Sequence, residues 1–216
     1  MDVLRCNLLR LVLLFSFFCG GAVSYGGDGM NEPENRTEAF LGGRSRWVNA
    51  RVELYDVQGL FGGRNVLVTG TGTVLVQVVS PAKKGLEEKR YARVAAGTPD
   101  RVPPEVTELL ERAVRRDFVT IRSDDRPGIP DEARIEIVLT NGDGDSREVA
   151  FWESTPVLPM DSKESDGNRF HSIYAGLKRF QSELEKSGKP VYQGAYKPGG
   201  WGKWVRKVLG PSTGEK

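Results

Sequence analysis

The chain has 216 residues, 38% apolar and 28% charged, with a formal net charge of +2, a composition that fits a folded globular domain with extensions. It holds one histidine, His171, and two cysteines, Cys6 and Cys19, both close to the N-terminus. Thiolate chemistry in the body is thereby excluded, and a transition-metal site lacks its usual ligands.

The chain opens MDVLRCNLLRLVLLFSFFCGGAVSYGG. Arg5 and Arg10 supply a positive start, Leu11–Phe18 is an apolar run too short to cross a bilayer, and Ala22-Val23-Ser24 offers small residues for cleavage. The pattern predicts a secretory signal peptide over residues 1–24, so the mature chain is expected to be secreted or periplasmic. The alternatives are an uncleaved anchor and a lipoprotein with the lipid on Cys19, although Phe18 is bulky where such sites carry a small residue. Cleavage at Ser24 leaves no cysteine and therefore no disulfide.

Residues 25–45 lack an apolar period and are rich in Gly and Glu, which predicts a flexible linker. Within it, Asn35-Arg36-Thr37 matches the glycosylation acceptor pattern.

An α+β domain is expected over residues 46–186. ARVELYDV reads as a first strand, with Val52 and Leu54 facing one way, interrupted by GLFGG at Gly59–Gly63. Val66 and Val68, then Val74, Val76 and Val78, flank a hairpin whose loop carries Gly70 and Gly72. KRYARVAA reads as a further strand. PPEVTELLERAVRRDF is a helix: Pro103 and Pro104 suit its start, and Val106, Leu109, Leu110, Ala113 and Val114 recur on one face. After an extended FVTIRS and the polar loop SDDRPGIPDE, Ala133, Ile135, Ile137 and Leu139 alternate with Arg134, Glu136 and Thr140 in a second hairpin. A second helix buries Phe170, Ile173, Tyr174, Leu177, Phe180 and Leu184, and ends at Gly188 and Pro190. The order predicts an antiparallel sheet of four to six strands with two amphipathic helices on one face, a two-layer sandwich.

The glycine-bearing first hairpin, the Pro-led helix with Leu109-Leu110 followed by Asp117-Phe118, PDEARIEIVLTNG and the closing helix together resemble the emfourin-type inhibitors of thermolysin-like metalloproteases. The resemblance runs from about Val52 to Leu184, and GLFGG matches that family's glycine-aromatic-glycine turn only loosely. It implies a binding or inhibitory module with a protease as partner. No functional residue of the family transfers to this chain.

Candidate chemistry is sparse. A Ser-His-Asp site would have to use His171, beside Ser172 at a helix start, where a surface or capping role is commoner. Asn141, Asp143 and Asp145 imitate the start of a calcium loop, but Ser146 replaces its glycine and Trp152 its glutamate. Asp124, Asp125, Asp131 and Glu132 form an acidic cluster that either serves glycoside hydrolysis or is a solvated loop. GLFGG and GTGTG match neither a phosphate loop nor a dinucleotide fingerprint.

Residues 187–216 form a basic aromatic tail. Trp201, Trp204, Val205, Val208 and Leu209 recur at helical spacing, with Lys203, Arg206 and Lys207 on the other side. Tryptophan beside cations suits a bilayer interface or an anionic envelope polymer, and nucleic acid is set aside as a partner. In the competing reading the tryptophans fold back over the sheet.

The residues thus predict an extracytoplasmic binding domain without a cofactor and without catalysis, and the resemblance implies that its partner is another protein, a protease. The tail residues Trp201, Lys203, Trp204, Arg206 and Lys207 would add contacts to an anionic surface. The alternatives are an envelope-associated structural protein held by its tail or a lipid, and a carboxylate-dependent hydrolase. Intact mass of the exported product tests the leader: the expected species lacks residues 1–24 and carries no lipid, whereas a lipid-modified Cys19 at the N-terminus makes the protein a lipoprotein.

Overall fold

In a computed structural model of the protein, the described residues are 35–58, 60–96, 101–127, 132–153 and 165–210. The leader, Cys19 and Asp131 lie outside them. Among the described residues no helix is long and apolar enough to cross a membrane.

The elements follow in the order α1 (Arg36–Leu41), a 3-10 turn (Arg44–Asn49), β1 (Arg51–Gln58), β2 (Gly62–Thr69), β3 (Val74–Ala82), β4 (Gly85–Arg93), α2 (Pro104–Arg115), a second 3-10 turn (Phe118–Thr120), β5 (Arg134–Thr140), β6 (Ser146–Trp152), α3 (Asp166–Ser187), β7 (Tyr192–Ala195) and α4 (Gly200–Leu209). The strands make one seven-stranded sheet in the order β6-β5-β1-β2-β3-β4-β7, antiparallel at each pairing.

The fold is α+β, as read from the sequence, with two corrections. The sheet exceeds the expected four to six strands, because β7 adds itself to the β4 edge. There Val191 N–H donates to Arg90 O at 2.7 Å and Tyr196 N–H to Leu86 O at 2.9 Å. The second correction is that the sheet carries helices on both faces.

The first face holds the larger core. Val52, Leu54, Val66, Val68, Val74, Val76, Ile137 and Val149 meet Leu109 and Leu110 of α2 and Phe170, Ile173 and Leu177 of α3. Pro104 opens α2, where a missing N–H leaves no intrahelical bond unmade. Ser165 caps α3 by accepting Asn168 N–H at 3.2 Å.

The fold begins earlier than residue 46, the expected start of the domain. Asn35 caps α1 by accepting Glu38 N–H at 3.0 Å, and its Nδ2 donates to Val114 O at 2.7 Å. Thr37 is fully buried; its backbone N–H and its hydroxyl both donate to Asp117 Oδ1 at 3.0 Å, and the hydroxyl accepts Val119 N–H at 3.0 Å. These bonds hold Asp117 at φ +43°, a left-handed conformation that aspartate tolerates and that turns the chain out of α2. The glycosylation-like triplet is thus structural in the fold, and residues 36–45 are not a linker. Leu41 is buried in the core beside them.

The calcium-like loop is a hairpin turn. Asn141 Oδ1 accepts the N–H groups of Asp143 and Asp145 at 3.0 and 2.9 Å, and its Nδ2 donates to Phe40 O at 3.1 Å. FVTIRS, expected to be extended, starts as a 3-10 turn and then runs along β6. There Asp124 N–H donates to Ala150 O at 2.9 Å and Ala150 N–H to Ser123 Oγ at 3.1 Å. That segment shields part of an edge that would otherwise invite another strand.

Leu41→Ala is expected to lower the unfolding free energy by about 2–5 kcal/mol, read as a fall in the urea midpoint. An unchanged midpoint would restore residues 36–45 to a linker.

Candidate binding groove

On the second face, cross-strand partners share a side, so the ladder register lists what lies there. One row runs Val138, Glu53, Leu67, Leu75, Ala92; the next runs Glu136, Tyr55, Asn65, Gln77, Arg90, Tyr192. The first is mostly apolar and the second mostly polar.

Helix α4 covers the apolar part. Trp201 and Val205 pack on Leu67 and Leu75, with Trp204, Val208 and Tyr55 at the margin. Of the tail residues read as outward contacts, Trp201 therefore faces the sheet instead and is only 6% exposed. Leaving Leu67 and Leu75 wet would forfeit about 1.5–3 kcal/mol each. Trp204 is half-buried, and Lys203, Arg206 and Lys207 stay exposed on the outer side.

The polar row is tied together. Asn65 Nδ2 donates to Gln77 Oε1 at 2.9 Å, Gln77 Nε2 donates to Glu88, and Arg90 pairs with Glu88 at 2.6 Å. Asn65, Gln77 and Glu88 are all buried, so each bond replaces water that the cover removes. The Arg90 guanidinium lies 4.9 Å from the Tyr192 ring centroid and 5.5 Å from that of Trp204, which clamps β7 and α4 to the network. Next to it, Tyr55 OH donates to Glu53 Oε2 at 2.6 Å and Arg51 pairs with Glu53 at 2.9 Å.

Between α4 and β5 the row stays open as a groove of about 420 Å³. Tyr55, Val57, Asn65 and Gln77 form its floor, Arg134 and Glu136 one wall, and Tyr196, Gly199, Trp201 and Gly202 the other. Gly199 sits at φ +71°, the left-handed turn that swings the chain from β7 into α4. Burial, and then the Glu53 carboxylate, push the Tyr55 phenol above the ordinary tyrosine range. Burial and the neighbouring Glu148 raise the Glu136 carboxyl. Arg134 stacks over Trp152 at 5.7 Å. Aromatic edges, two amides, a cation and a carboxyl at one volume make a surface suited to holding a ligand.

The other candidates lie elsewhere. His171 is on α3, between the rings of Phe170 and Tyr174 at 5.9 and 6.1 Å. Ser172 turns toward α2, where its Oγ accepts from Arg116 Nε at 3.4 Å. Tyr174 OH donates to Asp56 Oδ2 at 3.1 Å, and burial raises that carboxyl. Asp124 and Glu132 converge on Arg126 at 3.0 and 3.3 Å, a structural ion-pair cluster. Among the described residues no group of three or more His, Cys, Asp or Glu is placed to hold a metal ion.

Sequence reasoning missed the floor of the groove. The available signal was Asn65 and Gln77, polar residues set in runs of Val and Leu and paired across the ladder through Val66 and Val76.

The architecture is an α+β domain on an open antiparallel sheet. No protein-family model matches the chain, nor does any curated protein or solved structure.

The Tyr55 shift has a pH consequence. A phenol pKa raised by folding stabilises the fold fully below about pH 10, and that stability is lost as the unfolded phenol ionises above it. The urea midpoint of the wild type is expected to fall more between about pH 9 and 11 than that of Tyr55→Phe. Parallel curves would place Tyr55 in water.

Proposed function

We propose that this chain is an exported, non-enzymatic binding domain whose ligand is a segment of another protein lying in the groove. The observation that carries the reading is the groove itself: Tyr55, Tyr196, Trp201 and Arg134 converge on one volume. Tyr, Trp and Arg are the side chains that most often dominate binding energy at protein interfaces. The resemblance to metalloprotease inhibitors points to a protease as the partner. Lys203, Arg206 and Lys207, exposed on α4, supply an auxiliary contact to an anionic envelope surface.

A panel of thermolysin-like metalloproteases tests this. The protein must extend through α4, since a fragment ending before β7 would bare Leu67, Leu75 and the buried Glu88. Residues 33–216 are expected to inhibit at least one member, and Arg134→Glu with Tyr196→Ala to weaken inhibition tenfold or more, about 1.4 kcal/mol. Inhibition unchanged by both substitutions would remove the groove from the interface. Glycan hydrolysis by the purified domain, abolished in Asp124→Asn, would replace binding with the carboxylate-dependent hydrolase.

A further inference from the structure

The β1–β2 and β3–β4 hairpins turn at the same end of the sheet, since Gly63 stands opposite Val79 and Ala82 opposite Gly85. The first apex carries Leu60 and Phe61, 70% and 57% exposed and outside both core clusters. One strand away, Pro81, Lys83 and Lys84 are exposed on the second. Gly62 and Gly63 hold the first apex at φ +82° and +133°. A Cβ on Gly63 would lie 1.8 Å from Asp56 O, and one on Gly62 2.2 Å from Val79 O. The apolar pair is thus presented by a hairpin wedged against its neighbours.

Two adjacent large apolar side chains at a convex tip neither fill a core nor border the groove. A protein partner would need a pocket for them and contacts to orient it, whereas Leu60, Phe61 and Gly62 bring no hydrogen-bonding side chain of their own and the polar groups beside them are the cations Lys83 and Lys84. A bilayer interface asks only for apolar depth and cations at headgroup level.

We propose that this end of the sheet is a membrane-contact surface: Leu60 and Phe61 enter the headgroup–acyl boundary of an anionic bilayer while Lys83 and Lys84 rest on lipid phosphates. It is independent of the groove and of α4. Two inserted side chains and two cations give weak, reversible, salt-sensitive attachment.

Vesicle flotation of the exported chain tests it, on phosphatidylcholine alone and on phosphatidylcholine with one-third phosphatidylglycerol. The wild type is expected to float with the anionic vesicles. The double variant Leu60→Ser, Phe61→Ser should lower the partition coefficient at least tenfold with an unchanged thermal midpoint. The pair Lys83→Gln, Lys84→Gln should erase the preference for anionic lipid. Equal partitioning of the wild type and the apolar-tip variant overturns the proposal, whether both float or neither does. So does flotation lost only when Lys203, Arg206 and Lys207 are neutralised, which would move the contact to α4. Protease inhibition weakened by the tip variant without any vesicle binding would assign the apex to a protein partner.

Discussion

The central strands of this sheet are buried on both sides, and most of the architecture follows from that. Val66, Leu67 and Val68 on β2, and Val74, Leu75 and Val76 on β3, are shielded from water without a break. A strand with one wet face alternates, whereas these two cannot leave either face open without stranding leucines or valines in solvent. Helices α2 and α3 meet the demand on one side. On the other, Leu67 and Leu75 require a cover, and the amphipathic α4 is the element whose apolar stripe supplies it.

That cover has a second effect. It dries a row of polar side chains, so Glu88 is a buried charge that must keep its partners. An unpaired carboxylate in that position would be strongly destabilising, and Arg90 and Gln77 answer it with charge-assisted hydrogen bonds. Because Arg90 also lies against Tyr192 and Trp204, the network and the cover hold each other in place. The groove is where this arrangement stops short of β5, so its shape depends on the seating of α4.

The first face was legible in the sequence. Val106, Leu109, Leu110 and Ala113, and Phe170, Ile173, Leu177 and Leu184, repeat at helical spacing, and Ile135, Ile137 and Leu139 alternate at strand spacing. The second face was harder to see, because a sheet with helices on one face alone covers Val66, Val68, Val74 and Val76 but leaves Leu67 and Leu75 without a cover. The unbroken Val-Leu-Val runs signalled burial on both sides, and with it the need for a third layer. The tail's own pattern was ambiguous for a physical reason: a stripe that suits a lipid interface suits an apolar sheet face equally well. The segment around Leu41 was obscured because its anchoring is polar and long-range, through Thr37 and Asp117, and periodicity does not report such bonds. Arg134 and Glu136 alternate with the apolar set of β5, but their convergence with Tyr196 and Trp201 depends on a chain return that spacing alone does not encode.

The position of α4 along the polypeptide bears on how the molecule is made. Residues 200–209 leave the ribosome after every strand has been synthesised, so until then the middle of the sheet has one unfinished side. A nascent chain in that condition cannot lock into its final state early. Completion then depends on the late-arriving tryptophans, and the same delay exposes the intermediate to aggregation and to quality-control proteases.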